Sequence, residues 1–169
     1  MSILLYNIFL FLYSASLRIV SPWNVKARLW LKGRKNFPVF PGSGNTIWMH
    51  CASLGEFEQG RPLLEAIRNK YPSSKIALSF FSPSGYEVSK NYPGADYIFY
   101  LPMDDKLHAR KLIAALDPSL VIWVKYEYWY YYLTELKKRK IPVILVSGIF
   151  RQNQPFFAWY GKIWRDMLT

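Results

Sequence analysis

The sequence predicts an α/β fold, a doubly wound parallel sheet preceded by an N-terminal apolar helix. Three observations predict it. The chain opens with the uncharged run Ser2–Leu17. Five short apolar runs follow, of the kind that forms strands covered on both faces. Helical patterns alternate with these runs, and strict alternation favours a parallel sheet with right-handed crossovers.

The composition limits the class of protein and the kind of partner. A chain of 169 residues fits one domain, and 51% hydrophobic residues with seven Trp, thirteen Tyr and eleven Phe exclude disorder. The formal net charge of +11 suits an anionic partner, namely nucleic acid, an acidic membrane surface or a phosphorylated substrate. One cysteine, Cys51, and two histidines leave no pattern for a disulfide framework or a metal site.

The N-terminal run is close to the shortest length that crosses a membrane, roughly 17 residues. Its length is marginal unless Arg18 snorkels and Ile19, Val20 and Trp23 extend it. No basic residue precedes it, so it does not resemble a cleaved signal peptide. We expect a membrane anchor. A helix lying in the interface and a buried amphipathic helix of a soluble domain remain alternatives to a spanning helix.

A basic segment follows the apolar run and contains no acidic residue. Its charge is expected to hold the segment on the cytoplasmic side, against anionic lipid. Nucleic acid is the weakest candidate partner, because these charges surround an apolar helix and not a recognition helix. Residues 1–35 therefore form the predicted anchor and juxtamembrane segment, and residues 46–169 the predicted folded domain. The basic residues are Arg18, Lys26, Arg28, Lys32, Arg34 and Lys35.

The body of the chain reads as alternating strands and helices. The predicted strands are Thr46–His50, Lys75–Phe80, Tyr97–Leu101, Leu120–Lys125 and Pro142–Ser147. The predicted helices are Glu58–Lys70, Ser84–Asn91, Lys106–Leu116, Tyr128–Arg139 and a final piece at Pro155–Leu168. Ligands of such sheets bind outside the carboxyl ends of the strands. The loops that follow the strands therefore hold the candidate site.

The loop after the first predicted strand carries Ser53, Gly55 and Glu56. Ser53 and Gly55 allow a tight turn whose backbone N–H groups form an anion site at a helix start. Glu56 in the first turn stabilises a helix by about 0.3–1 kcal/mol. A carboxylate at a strand end can instead be a general base. Spacing alone favours the structural role.

Three later loops add candidate binding residues. Ser82 and Ser84 are first of all helix N-caps, and either hydroxyl can also bind a sugar or a phosphate. Lys125 and Glu127 flank the end of a strongly apolar strand, before an aromatic helix that either packs or binds sugars and acyl chains. Arg151 is either a fork for phosphate or carboxylate, or an ordinary solvated side chain.

In this order and spacing the motifs resemble the N-terminal domain of the Kdo transferases. That family attaches 3-deoxy-D-manno-octulosonic acid (Kdo) to the lipid A precursor of Gram-negative bacteria. The most specific stretch is Trp48–Glu56 (WMHCASLGE). Ser82–Gly85 resembles the family's Thr-Pro-Thr-Gly-like turn, Asp117-Pro118 precedes the next strand as it does there, and Glu127–Trp129 is similar to a Glu-Leu-Trp element. The resemblance runs to about Leu168.

The resemblance implies a GT-B glycosyltransferase, built from two Rossmann-like domains that face a cleft. The N-terminal domain would bind the lipid acceptor and the C-terminal domain the donor, CMP-Kdo. Glu56 would be the general base of an inverting reaction that needs no metal or other cofactor, and Glu127 a second acidic residue on the acceptor side. The implied location is the cytoplasmic face of the inner membrane, in lipopolysaccharide biosynthesis.

The chain ends at Thr169, before any sequence that could bind the nucleotide. We therefore expect it to be the acceptor-binding half of the enzyme and to be inactive alone. The alternatives are a GT-B transferase for another lipid-linked acceptor and a non-catalytic, membrane-associated binding module. The second is disfavoured by Glu56 and Glu127, because a pure phosphate binder gains nothing from carboxylates at strand ends.

Overall fold

The computed structural model describes residues 3–41, 45–125, 128–148 and Gly161. Within them lie α1 (Ile3–Val20), α2 (Val25–Gly33), β1 (Thr46–Cys51), α3 (Leu54–Lys70), β2 (Lys75–Phe80), α4 (Pro83–Ser89), β3 (Tyr97–Tyr100), α5 (Lys106–Leu116), β4 (Pro118–Val124), α6 (Tyr130–Lys138) and β5 (Val143–Val146). The strands form a parallel sheet in the order β3-β2-β1-β4-β5. The predicted α/β class and its Rossmann-like parallel sheet are confirmed. The predicted helix at Pro155–Leu168 lies outside the described residues, apart from Gly161.

The strands, and the helices α4, α5 and α6, begin and end within two residues of their predicted bounds, whereas α3 differs by four residues at its start. Helix α3 begins at Leu54, earlier than predicted, because Ser53 adopts an extended N-cap conformation with φ −142° and ψ 172°. This start places Glu56 in the first turn of α3. Helix α6 begins later than predicted, at Tyr130 with Trp129 as its N-cap. The aromatic run is therefore divided between a loop and a helix.

Helix α2 was not predicted, because the sequence analysis took these residues only as a basic segment. The Asn24 side chain caps it by accepting a hydrogen bond from the Ala27 N–H at 3.1 Å. Ala27 and Trp30, three residues apart on one face, are buried, whereas Lys26 and Lys32 are exposed. The basic segment is thus an amphipathic helix that packs on the domain.

The hydrophobic core lies on both faces of the sheet. Successive residues of a strand point to opposite faces, so Trp48 of β1 packs with α5 and α6 while Met49 packs with α3. Both side chains are almost completely buried. Coverage of both faces explains why the strands read as continuous apolar runs.

Helix α1 contacts the carboxyl edge of the sheet and leaves most of its apolar surface exposed. Tyr6 and Leu10 are its buried residues, whereas Leu4 and Phe11 are each 68% exposed. The helix is about 27 Å long, and its length and composition are sufficient to cross a membrane. Against the other described residues α1 is mostly unburied, which disfavours the buried amphipathic helix of a soluble domain that the sequence left possible.

A buried aspartate connects α1 to the sheet. Asp104, in the loop after β3, is 1% exposed. It accepts hydrogen bonds from the backbone N–H groups of Tyr131 and Tyr132, each at 3.0 Å, and from the Tyr6 hydroxyl. Burial raises the pKa of Asp104 to about 6, although these three donors oppose the rise. One carboxyl group therefore caps the start of α6 and holds α1 against it.

We expect Tyr6→Phe to lower the free energy of unfolding by about 1–3 kcal/mol, because the buried Asp104 loses a hydrogen-bond donor. Denaturant unfolding in an uncharged detergent measures the change. Tyr71→Phe is the matched control, since it removes the same atom from a side chain that is 48% exposed. Equal stability of the two variants would show that the Tyr6 hydroxyl does not hold α1 in place.

Candidate functional site

The loops after β1, β2 and β4 meet at the carboxyl edge of the sheet. The Ser82 N–H donates to the Ala52 carbonyl at 2.7 Å, which joins the loop after β2 to the loop after β1. Lys125, directly after β4, lies close enough for its charge to act on Glu56. The structure thus brings Glu56, Ser82 and Lys125 to adjacent strand ends. Two further predicted site residues, Glu127 and Arg151, lie outside the described residues.

The Glu56 side chain turns back onto the loop that precedes its own helix. Its Oε2 accepts a hydrogen bond from the Ala52 N–H at 2.5 Å, and the Ser53 N–H also acts on the carboxylate. Ser53 is the N-cap residue of α3 but makes no side-chain capping bond. Glu56 therefore supplies the return half of a capping box. This is a structural role of the kind that the sequence favoured.

Opposing effects set the basicity of Glu56. Burial raises the pKa of its carboxyl group, and the N–H groups of Ala52 and Ser53 and the positive charge of Lys125 lower it. Burial predominates, so the pKa lies above its usual range. A half-buried carboxylate with a raised pKa is a better proton acceptor than an ordinary surface glutamate.

The surface beside Glu56 is open at Gly55. This residue is exposed, and a Cβ atom added to it would meet no heavy atom within 4 Å. Gly55 lies in the first turn of α3, where backbone N–H groups and the helix dipole favour negative charge. A hydroxyl or phosphate group can therefore approach the backbone here without displacing a side chain.

Ser82 is the N-cap residue of α4, as the sequence predicted. Its Oγ accepts a hydrogen bond from the Ser84 N–H at 3.3 Å and lies 3.0 Å from the Ser84 hydroxyl. The Ser84 side chain is exposed. The ring of the preceding residue, Phe81, packs against the Trp129 ring at a tilt of 34°, with the ring centroids 4.6 Å apart. The turn at Ser82 therefore borders an aromatic surface.

The backbone of Lys125 explains why this side chain leaves the strand at the site. Its φ of 63° is left-handed, which ends the extended conformation of β4. Its N–H still donates to the Val146 carbonyl at 2.8 Å. This hydrogen bond ties the turn to β5, and the half-buried Lys125 lies close enough for its charge to act on Glu56.

A buried polar group in β1 was missed in the sequence analysis. His50 is completely buried, with its Nδ1 2.8 Å from the Ser79 Oγ. The same oxygen accepts a hydrogen bond from the Trp48 Nε1 at 2.8 Å. Burial and the charge of Arg34 lower the pKa of His50 to about 3, so it is neutral at physiological pH. His50 lies two residues after Trp48 and therefore on the same face of β1. This spacing could have predicted from the sequence that His50 is buried.

Arg34 was predicted to belong to a basic segment that faces the membrane, but its side chain binds the folded domain. Its guanidinium donates to the carbonyls of Leu101 at 2.8 Å and Phe81 at 2.7 Å, and lies 3.9 Å from the centroid of the Trp30 ring. Burial lowers its pKa to about 9, which leaves it charged at neutral pH. No carboxylate among the described residues pairs with it. Arg34 joins the end of α2 to the ends of β2 and β3.

The described residues at this edge do not favour thiol or metal chemistry. Burial and the charge of Glu56 raise the pKa of the Cys51 thiol, so the reactive thiolate is disfavoured at neutral pH. Across the part of the chain that the structure describes, no three His, Cys, Asp or Glu side chains converge as metal ligands would. The described polar groups are suited to hydrogen bonding and proton transfer.

Comparison with known proteins relates the sequence of this chain to a family. Residues 24–169 match the family model described as 3-deoxy-D-manno-octulosonic-acid transferase (kdotransferase). The chain is similar to the 3-deoxy-D-manno-octulosonic acid transferases of Chlamydia muridarum (29% identity, covering 76% of this chain and 31% of the relative) and Haemophilus influenzae (30% identity, covering 73% and 29%). It thus spans less than a third of the length of these relatives.

The fold is similar to that of a solved structure of different sequence. A putative UDP-N-acetylglucosamine 2-epimerase from Listeria monocytogenes superposes with a TM-score of 0.50 at 10% identity. The alignment covers 75% of this chain and 37% of the epimerase. This likeness concerns the arrangement of strands and helices alone.

We expect Lys125→Gln to raise the pKa of Glu56 further, because it removes a positive charge that favours the ionised carboxylate. A pH titration followed by NMR of the ¹³C-labelled glutamate carboxyl groups measures this change. Lys70→Gln, at the opposite end of α3, is the control and should leave the titration unchanged. If Glu56 titrates at the same pH in both variants, the charge of Lys125 does not affect the pKa of Glu56.

Proposed function

Because the chain belongs to the 3-deoxy-D-manno-octulosonic acid transferase family, we propose that it forms the acceptor-binding half of an enzyme that transfers Kdo from CMP-Kdo to the lipid A precursor. The observation that carries the proposal is the half-buried carboxylate of Glu56, with its raised pKa, beside Lys125 and the open surface at Gly55. Sugar transfer requires a proton acceptor at such a place.

In the proposed reaction a sugar hydroxyl of the acceptor attacks the anomeric carbon of the donor. The hydroxyl oxygen forms the new glycosidic bond as the bond to the CMP phosphate breaks on the opposite face, which inverts the configuration. Glu56 accepts the hydroxyl proton, and the departing phosphate takes the electron pair. Lys125 keeps the carboxylate ionised before the reaction, and burial keeps it basic.

We assign donor binding to another part of the full-length protein. The relatives are about three times as long as the region that matches this chain. A second Rossmann-like domain, facing this one across a GT-B cleft, would supply the donors that stabilise the leaving phosphate. The described chain alone is then expected to transfer no sugar. The proposed steps need a base and positive charge, and neither requires a metal ion.

The lipid acceptor explains the N-terminal helix. Contacts of Tyr6 and Leu10 hold α1 on the domain, and Tyr13 lies against Phe81 with ring centroids 6.0 Å apart. These contacts extend along much of the helix, so we propose that it lies in the membrane interface with Phe11 towards the acyl chains. The basic α2 would face anionic headgroups at the cytoplasmic side of the inner membrane.

A non-catalytic binding module is the second candidate. The observation in its favour is the hydrogen bond from the Ala52 N–H to Glu56, because it gives the carboxylate a structural role without catalysis. Loss of a first-turn acidic residue would then lower helix stability by about 0.3–1 kcal/mol and would leave any turnover intact. The two candidates therefore differ in what Glu56 does for rate and for stability.

Glu56→Gln in the full-length transferase separates them. We expect turnover to fall by about 10²–10⁴, with the melting temperature little changed, because the glutamine oxygen still accepts the Ala52 N–H. Kdo transfer to the lipid A precursor and thermal unfolding are measured on the same protein. Glu58→Gln is the matched control, since that side chain is 46% exposed and pairs with Arg61. Near-normal turnover of Glu56→Gln would remove the carboxylate from catalysis.

A further inference from the structure

A basic cavity lies between α1, α2 and the loop after β3. Its volume is about 510 Å³. Arg18 of α1, Lys32 of α2, Arg34 and Lys35 after α2, and His108 of α5 line it. None of the described residues in its lining is acidic. The cavity therefore concentrates positive charge from α1, from α2 and from the two residues that follow α2.

Two acidic residues, Asp104 and Asp105, directly follow the lining residue Met103 in the chain, but they do not pair with the Arg and Lys side chains of the cavity. Asp104 is buried and bonded to Tyr6 and the start of α6. Asp105 caps α5 and pairs with the His108 ring. In the described part of the chain, Arg18, Lys32 and Lys35 form no ion pair. An anion in the cavity would be the first counter-charge that these side chains meet.

An exposed apolar stripe leads away from the cavity along α1. Arg18, Ser14, Phe11 and Leu4 are spaced by four, three and seven residues, which places them on one side of the helix. Arg18 and Ser14 line the cavity, and Phe11 and Leu4 are each 68% exposed. From Arg18 to Leu4 the stripe is about 21 Å long. The surface is therefore cationic at the Arg18 end and apolar at the Leu4 end.

We propose that this cavity binds one phosphate group of a lipid, with the acyl chains lying along the Phe11 and Leu4 stripe. Lysine and arginine side chains donate charge-assisted hydrogen bonds to phosphate oxygens, and the stripe gives the lipid a contact that inorganic phosphate lacks. The inference rests on the lipid-facing position of α1 proposed above and is independent of sugar transfer. Arg34 connects the cavity to Phe81, the residue before Ser82.

Lipid binding to the full chain in an uncharged detergent tests the proposal. The probes are phosphatidic acid and phosphatidylcholine, and native mass spectrometry measures which is retained. We expect one phosphatidic acid to be held in preference to phosphatidylcholine. Lys32→Gln with Lys35→Gln should weaken that binding by about tenfold or more, because two charged donors are lost. Both side chains are exposed, so the fold should be retained, which melting temperatures check.

A second pair of substitutions provides the matched control. Lys26→Gln with Arg28→Gln removes the same charge from exposed positions of α2 outside the cavity, and should change binding by less than about threefold. Arg18→Gln, from the opposite wall, should weaken binding as an independent variant. The proposal fails if both pairs lose affinity equally, since binding would then reflect only the overall charge.

Two further measurements are needed. One distinguishes a lipid phosphate from free phosphate, and the other distinguishes failure of this inference from failure of the proposed membrane attachment. Inorganic phosphate that displaces phosphatidic acid at equal concentration would show a site for free phosphate and would overturn the lipid assignment. Vesicles of phosphatidylcholine and phosphatidylglycerol test the position of α1 separately. A chain that does not bind them would refute the proposed membrane attachment and, with it, this inference. A chain that binds them equally well with and without Lys32 and Lys35, and shows no preference for phosphatidic acid, would refute this inference alone.

Discussion

The carboxyl group of Asp104 is the contact on which the carboxyl edge of the sheet depends. A buried carboxylate without partners would destabilise the fold by several kcal/mol, and this one has three hydrogen-bond donors, two from the start of α6 and one from Tyr6 of α1. Both helices must therefore be in place for the group to be satisfied. The position of α1 then determines where Ser14 and Arg18, one wall of the basic cavity, are placed. The start of α6 at Tyr130 is held at the same edge of the sheet.

Arg34 makes the complementary contact from α2. Neither charge is balanced by an opposite charge within the described residues. Backbone N–H groups surround the carboxyl group of Asp104, and backbone carbonyls surround the guanidinium of Arg34. Arg34 bonds to carbonyls just after β2 and β3, and Asp104 bonds to N–H groups at the start of α6. Unpaired backbone groups are available at both places, because strands and helices end or begin there. The boundary was predicted at residue 35, but hydrogen bonds from Tyr6 and Arg34, which precede it, reach the folded domain that follows it.

The sheet could be predicted from the sequence because burial on both faces leaves a local pattern in every strand. Glu56 and Ser82 could be placed at helix starts for the same reason, since capping involves neighbouring residues. Asp104 and Arg34 could not, because their partners Tyr6 and Leu101 lie 98 and 67 residues away. Each residue looks like an ordinary surface charge when only its neighbours in the sequence are considered. Helix α2 was not predicted, because only two of its residues, Ala27 and Trp30, are buried and the charged residues around them suggested an exposed basic segment.

The proposed role of Glu56 as a base does not compete with its capping role for the same lone pairs. A carboxylate offers about four acceptor positions, and the N–H groups of Ala52 and Ser53 use only part of them. These bonds hold the side chain in one orientation, so a substrate hydroxyl would meet a base that is already positioned. They also favour the ionised form and so weaken the base. Burial acts in the opposite direction and predominates, so the pKa of this capping carboxyl group still lies above its usual range, as the proposed base requires.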